Sequence, residues 1–423
     1  MSAKAGPGAD SGPRTEGRRA GRYIAVLGAL FIAALTLMPA PPDDRVGAPP
    51  MSHWCVVCGQ LGGVDVILNV LLFMPFGFGM RTAGLSRRRA LLIAFAVTCT
   101  VEFLQLTVIT GRDATIGDIL MNSLGGAIGI LLADSWRALV MPAPAVARRL
   151  RILGSLGWLG IWGLSALVLQ GSLPNTTWFA QVPSQGSYQE DFPGSVVGAT
   201  LNGVTLHDGP IPNGGALREL VLRSGSTLDA VAVTGHGTTA IAPIAVIVDN
   251  FHTEILMVGQ DGTDLVLRAL LSAPGFRLRP PMIRLPGILA TPGDTVRIAA
   301  GFRDSRFHLE TVIRNRRVER VVSVSPSWGW SFLLPFEYAM GPETTPLTAL
   351  WIAGLLAPLA YWASRESRRP IGALAFIGGI VVLGLASVPY AARLDPVRWS
   401  EWAAACGGVA LGFTAGRWSK RLG

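Results

Sequence analysis

Eight stretches of this chain stay apolar for close to the ~20 residues that cross the hydrocarbon core of a bilayer. No other feature limits the fold as strongly, because backbone placed in lipid must pair internally, as a helix does. The stretches run roughly over 22–40, 63–80, 89–110, 114–134, 150–171, 346–363, 371–390 and 400–417. Hydrophobic residues make up 50% of the chain and charged residues 15%, whereas soluble domains carry about 25% charge. The net charge is +9, yet no nucleic-acid motif accompanies it. The basic residues lie beside the apolar stretches, where they set topology.

With the N-terminus in the cytoplasm, Lys4, Arg14, Arg18, Arg19 and Arg22 lie inside, followed by Arg81, Arg87, Arg88 and Arg89. Arg137, Arg148, Arg149, Arg151, Arg365, Arg368, Arg369, Arg417, Lys420 and Arg421 fall on the same side. The short outer loops hold Arg45, Arg112, Arg393 and Arg398. This asymmetry predicts a multi-pass α-helical protein of eight spans, with both termini cytoplasmic. The first stretch ends in "LMPAPPDD", which offers no small-residue cleavage site, and so reads as a retained helix. The expected organisation is a disordered cytoplasmic tail over 1–21, five helices over 22–171, an extracytoplasmic domain over 172–345 and three helices over 346–423.

Between 172 and 345 the apolar runs shorten to strand length. "IAPIAVIVD", "TEILMVG", "DLVLRAL", "DTVRIAAGF", "FHLETVI" and "ERVVSVS" read as six of ten to twelve strands, and Gln260-Asp261-Gly262-Thr263 as a hairpin turn. Many short strands without a helical period predict an all-β sandwich. Asp249, Asn250, Asp261 and Asp264 could offer oxygens to a calcium ion, although turn chemistry explains the same residues. Trp328 and Trp330 could stack on a sugar or sit at the membrane interface. Cys55 and Cys58 form a C-x-x-C whose natural reading outside the membrane is a disulfide. Zinc would need two further ligands, and only His53 is adjacent. Cys99 and Cys406 fall within helices and read as packing residues.

The chemistry gathers elsewhere. In "GVDVILNVLLF", Asp65 and Asn69 lie one turn apart on one helix face. Glu102 and Gln105 do so on the next helix, and Asp118 and Asn122 in "GDILMNSLGGAIG". Arg112 and Asp113 occupy the turn before that last helix. At 1.5 Å per residue all of these fall within roughly 15 Å of the outer surface. Charges in lipid are costly, so the groups must face inward or water and pair with each other. Arg112 is the nearby cation and the expected partner of Glu102 or Asp118. Gly125 and Gly129 allow close packing of the helix that carries them. Helices one and two read as a parallel repeat of three and four. The last helix reads as a worn further copy, with Glu401, Gly408 and Gly412 in the places of Asp118, Gly125 and Gly129 and Ala405 in place of the Asn.

Two resemblances follow. "AVIVDNFHTEILMVGQDGTDLVLR" and "GDTVRIAAGF…FHLETVIRNRRV" resemble concanavalin-like, laminin-G-type jelly rolls, which implies a glycan-binding sandwich, in many cases with calcium. Residues 22–135 resemble the VanZ-like family of bacterial membrane proteins through "WCVVCGQLGGVDVILNVLLFMPFGFG", "VEFLQL" and "GRDATIGDILMNSLGGAIG". That family takes its name from a member of a glycopeptide-antibiotic resistance cluster. The resemblance implies a place in the bacterial plasma membrane and the cell envelope, and it names no reaction.

The polar groups could serve as interhelical glue. They could form a binding site for a lipid head group, a lipid-linked cell-wall precursor or a glycopeptide antibiotic, with Arg112 meeting a phosphate and the sandwich touching glycan. They could also be enzymatic, with Glu102 and Asp118 as acid and base. No nucleophile motif, metal motif or phosphate-binding glycine loop accompanies them. The expected role is therefore recognition or accessory work, without a resident cofactor.

Overall fold

The structure is a computed structural model, and it describes residues 13–39, 52–59, 61–112, 114–183, 190–251, 253–366 and 370–422. It divides into two compact units, Met1–Met141 and Pro142–Gly423.

The first unit is a bundle of α1 (Pro13–Thr36), α2 (Gly62–Thr82), α3 (Arg87–Thr107) and α4 (Ile116–Val140). The first helix starts before the expected residue 22. Pro13 stands at the opening position, which suits its fixed φ, and Glu16 lies in the first turn, so residues 13–21 join the helix. Residues 1–12 of the expected tail lie outside the described residues. Ser86 and Thr115 cap α3 and α4 by accepting from the amides of Arg89 and Asp118. Phe73, Phe76, Ala90, Ala94, Val101 and Ile130 fill the centre with Ile32 and Met80.

Asn69 of α2 meets Asp118 of α4 at one end, and Arg81 meets Asp134 at 2.6 Å at the other. The two helices therefore run parallel, and they run close together. A Cβ added at Gly125 would lie 2.2 Å from the Val70 carbonyl oxygen, and one at Gly129 would lie 2.1 Å from that of Met74. Arg87 also reaches Asp134, at 2.5 Å, and ties α3 to the same end.

The second unit holds α5 (Pro144–Val168), α7 (Thr345–Glu366), α8 (Ile371–Val382), a π-helical turn at Leu383–Ser387, α9 (Val388–Ala391) and α10 (Trp399–Leu422). The fifth helix thus packs with the later helices. Trp158 and Trp162 stack at 5.2 Å and join Ile352, Leu356, Ile377 and Leu385 in one core, and Arg151 pairs with Glu366 at 2.9 Å. Among the described residues seven helices are long and apolar enough to cross a membrane, where eight were expected. The eighth, α10, has the length but not the unbroken apolar run. Glu401 stands in its first turn, and Lys420 and Arg421 in its last.

Between α5 and α7 lies the β domain, a sandwich of two six-stranded antiparallel sheets. Its strands are β1 (Trp178–Gln181), β2 (Ser195–Leu201), β3 (Val204–Thr205), β4 (Gly209–Pro210), β5 (Ser226–Val233), β6 (Ala242–Asp249), β7 (Glu254–Asp261), β8 (Asp264–Ala269), β9 (Ile283–Leu285), β10 (Thr295–Arg303), β11 (Arg306–Ile313) and β12 (Arg316–Ser323). The orders are β4-β1-β6-β7-β8-β9 and β12-β11-β10-β5-β2-β3. All six runs read as strands are strands. The continuous apolar run in β6 reflects burial along its whole length. The expected hairpin turns at Gly262-Thr263, where Gly262 takes φ +64°. Sequence reading missed α6 (Gly214–Ser224), which buries only Leu217 and Val221, too brief a helical period to register.

The sandwich is fastened to one end of this unit's helices. Arg306 pairs with Asp395 at 2.5 Å, the Ser305 hydroxyl donates to the Arg393 carbonyl at 2.6 Å, and the Trp330 indole donates to Thr348 at 3.0 Å. Arg306→Ala should loosen that fastening by on the order of 1 kcal/mol, since the pair is half exposed. Limited proteolysis of the α9–α10 connection would show it as faster cleavage, and an unchanged rate would mean that the pair carries nothing.

The two units repeat one another. One constant shift in residue number carries the Val70–Gly125 and Met74–Gly129 approaches onto Ala353–Gly408 and Ala357–Gly412, where Cβ atoms would lie within 2.6 and 1.9 Å of backbone. The same shift carries Pro75 inside α2 onto Pro358 inside α7. It carries the buried Ala90, Ala94, Thr98, Val101 and Glu102 of α3 onto the buried Ala373, Ile377, Val381, Gly384 and Leu385. Gly79 of α2 approaches Ala25 of α1, and Gly154 of α5 approaches Leu359 and Trp362 of α7. The second unit therefore reproduces the four-helix plan of the first, with the sandwich inserted between its first and second helices. The expected worn copy in the last helix is one part of this larger repeat. The Asp-Asn pairs of α2 and α4 face one another as partners across a seam.

Candidate functional site

The polar residues of the first unit converge at the N-terminal ends of α2 and α4. Thr115 is the hinge of the arrangement. Its hydroxyl caps α4 by accepting from the Asp118 amide at 3.2 Å, and it lies 2.7 Å from Asp118 Oδ2. Its own amide donates to Glu102 Oε2 at 3.1 Å. Asp118 Oδ1 accepts from Asn69 Nδ2. One turn deeper, Asn122 Nδ2 donates to Thr98 Oγ1 of α3 at 2.9 Å. Gln105 Nε2 donates to the Thr36 carbonyl at the end of α1 at 2.8 Å. Glu102, Gln105 and Asn122 are buried, Asn69 and Asp118 half-buried. Four helices thus contribute to one polar seam, and the shared depth read from the sequence corresponds to real contacts.

Two side chains stand out for acceptors left open among the described residues. Asp65 is exposed and receives no hydrogen bond from a described residue. Asn122 is 2% exposed, and its Oδ1 has no partner. A buried polar atom left unpaired costs on the order of 1–3 kcal/mol.

Arg112 does not pair with Glu102 or Asp118. Its guanidinium donates to the carbonyls of Leu35 at 2.9 Å and Met38 at 3.3 Å, so it closes the C-terminus of α1. Helix ends leave carbonyls unpaired, and an arginine fork satisfies two at once. Its Nε and one Nη are thus engaged by backbone. Asp113 lies outside the described residues.

A disulfide joins Cys55 and Cys58, as expected. The loop it closes sits over the start of α4. The carbonyls of His53 and Cys55 accept from the amides of Ile116 at 2.9 Å and Gly117 at 3.1 Å, and His53 Nδ1 lies 3.0 Å from the Ala114 carbonyl. Thr98 and Thr115 were not singled out from the sequence, and His53 was weighed there only as a zinc ligand. Thr115-x-x-Asp118 before an apolar run is a legible capping signature, whereas a lone threonine in a helix carries none.

The remaining candidates separate. Asp249 spends Oδ1 on the amides of Phe251 and Thr253, both at 2.8 Å. Asp261 and Asp264 both hold Arg284. These residues, with Asn250 beside Asp249, fall at opposite ends of the β6–β7 hairpin, and no metal-binding group occurs among the described residues. Trp328 and Trp330 are buried, so neither offers a face to a sugar. Cys99 is half-buried, while Cys406 is exposed on α10.

Residues 27–137 match the family model VanZ/LLP1. No curated protein and no solved structure gives a match to this chain. The matched segment takes in α2, α3, most of α4 and the C-terminal part of α1, together with every described member of the polar seam. The first unit thus carries a VanZ-like domain, and its helices and that domain make the chain a membrane-associated protein.

Proposed function

We propose that the VanZ-like unit binds a lipid head group, or the head of a lipid-linked cell-wall precursor, at the outer leaflet of a bacterial plasma membrane, as an accessory protein of the cell envelope. The observation that carries this is the buried Asn122, whose Oδ1 has no partner among the described residues, one turn below Asp118 in the seam that also joins Asn69, Thr115 and Glu102. The outward placement of the site and of the sandwich rests on the basic residues gathered at the other ends of the helices. The sandwich, whose jelly-roll type and glycan contact belong to the same reading, would extend recognition beyond the membrane.

An acid–base role for Glu102 and Asp118 has less in its favour. Both carboxylates are engaged by Thr115, and Glu102 is buried. Native mass spectrometry of wild type beside Asp118→Asn tests the binding reading. A specific lipid adduct on the wild type, weakened about tenfold in the variant, is expected for the loss of one charge-assisted hydrogen bond. Two folded proteins that both lack an adduct would return the seam to a structural role.

A further inference from the structure

The core of the β domain opens at one end, into a cavity of about 210 Å³ between the two sheets. Trp178, Ile247 and Leu256 of one sheet and Leu201 and Phe302 of the other form its walls, and α6 flanks them with Val221. Gly225 takes φ +78°, which favours glycine, and with Ser226 and Ala269 it leaves this end short of side-chain volume. Protein interiors are close-packed and hold few voids larger than a water. Walls of this kind favour an apolar occupant over water. The volume lies below the roughly 300–1,000 Å³ of clefts that take whole small molecules, and it suits a single unbranched hydrocarbon chain.

The cavity lies at the end of the sandwich that meets the helices of the same unit. Gly171, on its rim, closely follows the end of α5 at Val168. Asp304, also on the rim, precedes Ser305, whose hydroxyl donates to the Arg393 carbonyl between α9 and α10. Gln170 Nε2 donates to the Ala392 carbonyl at 3.2 Å. The helices joined in this way, α5 and the run from α8 to α9, are long and apolar enough to cross a membrane. The cavity therefore opens at the level where those helices leave the bilayer. Exposed apolar side chains stand at that level. Leu222 lines the mouth, and Phe251 follows closely on the Trp178–Asp249 strand pair. Tyr390 and Trp399 are exposed at the helix ends, and such aromatic residues favour the membrane–water interface.

The charged residues at the mouth are matched within the protein. Arg303 pairs with Asp304 at 3.4 Å, and Arg223 of α6 pairs with Glu219 at 3.5 Å. Arg218 donates to the carbonyls of Leu173 and Pro174, both at 3.2 Å. Each cation thus has an acceptor of its own, and the mouth favours neither sign of head-group charge. What the site can select is the chain.

We propose that the β domain holds one acyl chain of a bilayer phospholipid in this cavity, with the head group left at the interface. The end of the chain lies between the two sheets, against Trp178, Leu256 and Phe302. For a chain already in a bilayer the gain comes from the cavity walls, which it covers and dries. The bilayer itself supplies chains at high local concentration. The site belongs to the second unit and is independent of the polar seam of the first.

The test places the full chain in phosphatidylcholine nanodiscs that contain a small fraction of phosphatidylcholine with a diazirine at the end of one acyl chain. After illumination, peptide mass mapping locates the label. The expected result is label on the peptides of Trp178, Leu256 and Phe302 as well as on the spanning helices, and the same yield from a phosphatidylglycerol probe. Ala269→Leu fills part of the cavity. It should lower the label on those three peptides at least about tenfold, since two methylenes of covered wall are lost at about fourfold each. Label on the spanning helices should not change and serves as the internal standard. Leu222→Glu, at an exposed position, should keep the wild-type melting temperature, set a charge in the path of the chain and lower the same label severalfold. Asp118→Asn should leave it unchanged, so this site and the head-group site stand or fall separately. Label confined to the spanning helices of the folded wild type would overturn the proposal. So would label on the three peptides that neither Ala269→Leu nor Leu222→Glu reduces. Label from photoreactive palmitic acid without any from the phospholipid probes would overturn the bilayer source, and a large excess of one phospholipid probe over the other would overturn selection by the chain.

Discussion

Gly129→Leu is expected to part α4 from α2 and to abolish ligand retention with it. A Cβ at 129 would lie 2.1 Å from the Met74 carbonyl oxygen, so the obstacle is main chain and cannot swing aside as a side-chain tip can. Overpacking a core costs about 1–3 kcal/mol where neighbours can adjust, and here they cannot. Gly125→Leu meets the Val70 carbonyl in the same way. Asn69 and Asp118 bond across this seam, so separating the helices opens the site as it weakens the fold. Thermal melting of the purified protein, paired with the lipid adduct, reads both effects. A variant that melts like wild type would show that α2 and α4 do not pack at this distance.

Trp162→Ala should be the most damaging substitution in the second unit, at about 3–5 kcal/mol for truncating a large buried aromatic. The side chain is fully buried, stacks on Trp158, and lies in the core that joins α5 to α7 and α8. Trp162→Phe keeps most of the volume and should recover much of the loss. Calorimetry of the three proteins reads this directly. Because the position lies far along the chain from the polar seam and in the other compact unit, the lipid adduct should persist at temperatures where the variant remains folded. A Trp162→Ala protein of wild-type stability would rule out the α5–α7 packing.

Much of the architecture was legible because a bilayer leaves little choice. An apolar run of about 20 residues has to be a helix, and the runs of the β domain alternate with turn residues at hairpin spacing. Three features were not legible, each for a physical reason. The start of α1 at Pro13 lies in a charged stretch that hydropathy reads as tail, and nothing in hydropathy distinguishes a solvated helix from coil. The four-helix repeat was only partly visible because the two copies share residues that pack, such as Pro75 with Pro358 and Gly125 with Gly408, and differ at the polar positions that draw the eye. Arg112 was paired with carboxylates on sequence proximity, whereas the competing acceptors, the last carbonyls of α1, have no side-chain signature at all. In the site itself the members were found by their spacing, and Thr115, which connects Glu102 to Asp118, was missed because a cap belongs to the helix it starts.

The parallel course of α2 and α4 has an electrostatic consequence. Each helix carries a macrodipole whose N-terminal end is equivalent to roughly half a positive charge. Two helices that start side by side bring two such ends together, and Asp65 and Asp118 each stand in a first turn. The parallel pair α7 and α10 does the same for Glu401. The antiparallel neighbours α1 and α3 end at the same seam, where Gln105 and Arg112 cover the carbonyls of Thr36, Leu35 and Met38. The two N-terminal ends thus add a favourable field at Asp65 and Asp118 beside that of Arg112, and the backbone's share cannot be titrated, rotated away or mutated one residue at a time.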